Sequence, residues 1–92
     1  MPNGHDVIQG LKEMVKLAEQ GDAEEQYRLG LLYERGQCIH QDYVMAHMYL
    51  SIAAVSGHDR AIKGRGIVEE MMTPLQIEKA QDLAREWMMT YQ

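Results

Sequence analysis

Gly21-Asp-Ala-Glu-Glu-Gln-Tyr-Arg-Leu-Gly-Leu-Leu-Tyr-Glu-Arg-Gly36 is the stretch that decides the fold. It reads as one complete helix, opened by Asp22 with Glu25 three residues on as a capping-box pair and closed by Gly36. Gln26, Leu29 and Tyr33 share one of its faces, with Gly30 beside them. A glycine inside a helix weakens it, so Gly30 implies close approach of a neighbouring helix. The pattern then returns: Gly21 and Gly30 are echoed 36 residues later by Gly57 and Gly66, and Ala18-x-x-Gly21 by Ala54-x-x-Gly57. A fixed period of that size marks stacked helical pairs rather than a single-copy enzyme fold.

Working outward, 92 residues allow one domain, burying roughly 60–65% of its unfolded surface. Apolar residues make up 46% of the chain, too many for a disordered one. With eight Met and no Phe, the core must be built from Met, Leu, Ile, Ala, Tyr and one Trp. Alternating β-branched runs are missing, so the chain is expected to be all-α. A net charge of −5 argues against a general nucleic-acid or anionic-membrane binder. The single cysteine, Cys38, excludes an internal disulfide framework and fits a reducing compartment. Neither a signal-like start nor a run of about 18 apolar residues is visible, so a cytoplasmic location is expected.

Residues 1–5 read as a loose tail and 6–92 as one domain. Asp6 is expected to cap a first helix to about Gln20, with Ile8, Leu11, Met14, Val15 and Ala18 on one stripe. Asp42 caps a third helix, Tyr43 to Ser56, apolar almost all round and therefore the buried partner of a pair. Asp59 is expected to cap a fourth, reaching about Met72. Its Gly64-Arg65-Gly66 stretch forms a poor helix and implies local mobility or packing that uses both missing side chains. Thr73-Pro74-Leu75-Gln76 opens a fifth, amphipathic helix that looks like a terminal cap. About five helices joined by short loops would pair as second with third and fourth with fifth, the first closing the open end.

These residues resemble a known repeat. Ala18-x-x-Gly21, Leu29-Gly30-x-x-Tyr33-x-x-Gly36, Asp42-x-x-x-Ala46 and Ala53-Ala54-x-x-Gly57-x-x-x-Ala61 look like the Sel1-like repeat, a relative of the tetratricopeptide repeat. The ending, from Met72-Thr-Pro-Leu to Trp87, is similar to the closing helix that follows such repeats in bacterial proteins. The resemblance implies an αα-solenoid, a right-handed superhelix of antiparallel helix pairs, with a full repeat over about 21–56 and a degenerate one over about 57–91. Departures include Glu25 for Ala, Tyr49 for Trp, and Arg65 for the Leu expected before Gly66.

Chemistry-bearing constellations are sparse. Cys38-x-His40 is too close for a zinc pair and lacks further ligands, so both read as solvated loop residues. His47 reads as a packed or surface side chain, and Ser51 and Ser56 stand in no nucleophile motif. Glu24-Glu25 and Glu69-Glu70 read as solvated helix faces. Regularly spaced cysteine pairs, which mark the family members linked to β-lactam chemistry, are missing. The expectation is a non-enzymatic protein without cofactor or metal. Such repeats present the first helix of each pair on a concave face. By that resemblance Glu24, Tyr27, Leu31, Glu34 and Arg35, with Arg60, Lys63, Ile67, Glu70 and Met71 from the second copy, would dock a protein or peptide partner. The alternative from another class is a self-associating structural subunit, joined through its end helices. Met14, Met48 and Met88 are expected in the core, and Met89 with Tyr91 at a dimer contact.

Overall fold

The computed structural model describes residues 4–92, which form five helices and no strand. They are α1 (Gly4–Glu19), α2 (Ala23–Arg35), α3 (Tyr43–Val55), α4 (Asp59–Glu69) and α5 (Pro74–Tyr91). Local chemistry sets most of the boundaries. The Asp22 carboxylate accepts the Glu25 amide at 3.0 Å, Asp42 accepts Met45 at 3.1 Å, and Thr73 with Gln76 forms a full capping box ahead of Pro74. Gly36 ends α2 in the left-handed region at φ 69°, a conformation that costs glycine nothing.

Three of the expected boundaries are corrected. Helix α1 starts at Gly4, so Asp6 lies in its first turn rather than ahead of it, and His5 is helical. The other part of the expected tail, residues 1–3, lies outside the described residues. Glu25 does not complete a capping box, because its carboxylate accepts from the Arg28 guanidinium instead, at 3.2 Å. Helix α4 is capped by His58, not Asp59: the His58 Nδ1 accepts the Ala61 amide at 3.2 Å. It ends at Glu69, short of Met72.

Helix α3 is the central element, as its all-round apolar sequence requires, and α2, α4 and α5 all pack on it. One cluster joins Ala18, Leu29, Met48, Tyr49, Ile52, Ala84 and Trp87, with Met14 and Met88 packed against it half-buried. A second joins Ala46, Leu50, Ala53, Ala61 and Val68. Leu50, fully buried, is the wedge between α2 and α4. A Cβ at Gly30 would stand 2.8 Å from the Leu50 Cγ and Cδ2, so the missing side chain of α2 is what lets α3 seat there. At Gly64 the same Leu50 would be met at an ordinary 3.6 Å. Gln26, also fully buried, ties α2 back to α1 by donating to the Ala18 carbonyl at 3.0 Å.

The expected pairing of the fourth helix with the fifth does not form. Helices α4 and α5 each pack on α3 and barely touch each other. The cause lies in the side chains: the α4 residues that reach the core, Ala61 and Val68, join the Leu50 cluster, whereas Ala84 and Trp87 of α5 join the Tyr49 cluster. Gly66 packs against nothing within 4 Å, so packing does not use both missing side chains of α4. None of the helices among the described residues is long and apolar enough to cross a membrane.

Candidate binding groove

The caps of α2 and α4, Asp22 and His58, stand 36 residues apart, each one residue after a glycine at positive φ (Gly21, 102°; Gly57, 85°). Helices α2 and α4, whose starts are related by that spacing, face each other across a cleft. Seven of the residues expected on the concave face line one cleft between them: Tyr27, Leu31, Glu34 and Arg35 from α2, with Arg60, Lys63 and Ile67 from α4. Gly64 completes the lining, and the cleft holds about 280 Å³. Leu31 is half-buried, whereas Ile67 is 59% exposed.

Glu24 and Glu70 are not part of the lining. Glu70 is exposed at the end of α4, next to the exposed Met71. Glu24 has a structural task, which corrects its expected place on a solvated face. The His58 Nδ1 accepts a backbone amide, so its proton sits on Nε2 and is donated to the Glu24 Oε1 at 2.7 Å. Arg60, 36 residues from Glu24, donates to the same carboxylate at 3.1 and 3.3 Å. The Glu24 carboxyl is held below its ordinary 4.5, first by the hydrogen bond from His58 and then, against the opposing effect of burial, by Arg60. Tyr27 stacks on His58 with ring centroids 4.6 Å apart, and the Arg60 guanidinium lies 5.0 Å from the Tyr27 centroid. These four side chains clip α4 to α2 and close one end of the cleft.

Three cations, Arg35, Arg60 and Lys63, and one carboxylate, Glu34, line the cleft, although the chain carries a net charge of −5. The lining thus combines one aromatic ring, two aliphatic side chains and positive charge. Such a surface suits an extended ligand bearing acidic groups and a branched apolar side chain.

Sequence reasoning missed His58 and the grouping around His47. The 36-residue period carried the signal for the first, since it maps the Asp22 cap onto position 58 rather than 59. For the second there was none: His47 is packed, 1% exposed, but its hydrogen bonds reach Ser51 on its own helix and Glu69 of α4, 22 residues away. Met89 is 84% exposed as expected, whereas Tyr91 is engaged within the chain. Its ring packs on Trp87 at 4.8 Å, although it stays 44% exposed, and the nearby Glu19 of α1 pushes its hydroxyl's pKa up. Cys38 is exposed in the loop after α2, with φ 66°. No family model matches the chain, and neither does any curated protein.

Proposed function

We propose that the chain is a small helical-repeat module of the Sel1-like type, non-catalytic, that captures an extended acidic peptide in the groove between α2 and α4. The observation that carries this reading is the convergence of Arg35, Arg60 and Lys63 around Leu31 and the exposed Ile67, in a chain acidic overall. Repeat periodicity supports it, because equivalent helices with equivalent caps line the two walls. In mechanism, an aliphatic side chain of the peptide seats between Leu31 and Ile67 while flanking carboxylates meet Lys63 and Arg35. Charge steers the encounter, and the apolar contact sets the lifetime of the complex.

Selection from a random displayed-peptide library tests it. Enriched peptides are expected to carry acidic residues around one Leu, Ile or Val. Lys63→Glu and Ile67→Ser alter only exposed side chains, so both variants should fold, and each should weaken the selected peptide by about tenfold or more. Equal affinity of both variants for the selected peptide, or enrichment of basic sequences, overturns the groove assignment. Tyr27→Ala is the poorer probe, since it also removes the ring stacked on the cap of α4.

A further inference from the structure

Where α4 and α5 part, a cleft of about 560 Å³ opens onto α3, within the usual range for small-molecule sites. Three of its features break local rules, and none has a packing explanation. Gly66 weakens the middle of α4, yet a Cβ there would meet nothing within 4 Å, because the space beside it is the cleft itself. Arg65 points no ion pair at any described residue, although Glu69 stands one turn further along the same helix, and Arg85 on the opposite wall pairs only with Asp82. The floor carries two buried polar side chains, His47 and Ser51, on an otherwise apolar helix, and His47 reaches the half-exposed Glu69 of α4. The His47 Nε2 lies 2.8 Å from the Glu69 Oε1, and the His47 Nδ1 lies 3.2 Å from the Ser51 Oγ.

That line of hydrogen bonds has a definite polarity. The Glu69 carboxylate accepts, so in the neutral ring Nε2 holds the proton and Nδ1 receives the Ser51 hydroxyl hydrogen. The lone pairs of Ser51 are then left for a donor in the cleft. A serine, an imidazole and a carboxylate in line is also the order of a nucleophile relay. Acyl transfer, however, needs free N–H groups at the forming oxyanion, and Ser51 sits inside α3, where the backbone amides are spent on the helix. The arrangement therefore lacks the donors that acyl transfer needs and offers hydrogen-bonding groups to a bound molecule.

We propose that this cleft is a second site, separate from the peptide groove, that binds a small organic monocarboxylate with an aliphatic body. The carboxylate meets Arg65 and Arg85, whose guanidinium forks match its geometry. The aliphatic body lies along Ile62, Ala84 and Met88, and a hydroxyl or amine on it reaches Ser51. Glu69, on the α4 wall, repels a doubly charged anion more than a singly charged one, which favours a monocarboxylate over a phosphate dianion.

Titration of ¹⁵N-labelled protein with hexanoate, with hexylamine and inorganic phosphate as parallel probes, tests the proposal. Hexanoate is expected to shift the amides of Arg65, Gly66, Glu69 and Ala84 saturably, and the other two probes are not. Arg65→Gln should weaken hexanoate by about tenfold. Gly66→Leu should fill the cleft and abolish the shifts while the helical circular dichroism stays unchanged; Arg65→Gln decides the matter alone if that variant unfolds. Hexanoate shifts confined to the α2–α4 groove, equal response to hexylamine, stronger response to phosphate, or no saturable response overturns the site.

Discussion

Gly30 and Gly66 occupy equivalent positions in the 36-residue period and have opposite surroundings. Leu50 stands 2.8 Å from where a Gly30 Cβ would be, and, being fully buried, it would have to shift within the core to admit one. Gly30→Ala is therefore expected to destabilise the protein by about 1–3 kcal/mol, the usual cost of overpacking. Gly66→Ala meets open space at a helical position and should stabilise it by about 0.5–1 kcal/mol. Urea unfolding of the two variants checks both signs. The sequence marks both glycines as anomalies in helices but cannot distinguish them. Which glycine touches a neighbour depends on where the third helix lies, and that is settled by side-chain volumes far along the chain.

At the scale of the element, α4 combines a weak helical sequence with a tether to its neighbour. It holds two glycines, packs on α3 along one side only, and is clipped to α2 through His58, Glu24, Arg60 and Tyr27. His58 both caps the helix and binds Glu24, so His58→Ala should cost about 1–2 kcal/mol. His58→Asn restores the cap without the link to Glu24 and should recover part of that loss. Hydrogen exchange at the Ala61 and Ile62 amides reads the result: protection should fall most in the Ala variant and less in the Asn variant. Equal protection in all three proteins would show that the cap contributes nothing.

Across the whole molecule, Glu24 and Tyr49 act on stability from opposite ends of the pH scale. Glu24 has a depressed folded-state pKa, so the stability it contributes is present above its ordinary 4.5 and is lost as pH falls through the lower folded value. Tyr49, 7% exposed in the core, is pushed up to about 12 by burial first and by the neighbouring Tyr33 next. Its contribution is complete below pH 10 and is lost as pH rises toward 12. Thermal melts across pH should therefore decline at both ends. Glu24→Gln is expected to flatten only the acid limb and Tyr49→Phe only the alkaline one. Were each limb unchanged in its variant, neither group would govern it.

What the sequence determined by itself is local: five helices, the caps at Asp22, Asp42 and Thr73, the glycine stops, and the buried third helix. Capping, propensity and apolar periodicity act over a few residues, so they are readable in order along the chain. The family resemblance picked out the α2 residues of the groove and the 36-residue spacing carried them to α4, because equal spacing places corresponding side chains on corresponding faces. Only the tertiary structure decided that α4 and α5 flank α3 instead of pairing, that Glu24 ties two helices together, and that His47, Ser51 and Glu69 meet beneath an open cleft. Those outcomes turn on which distant side chains share a cluster, Ala61 and Val68 with Leu50 but Ala84 and Trp87 with Tyr49, a competition of volumes between residues that local rules never compare.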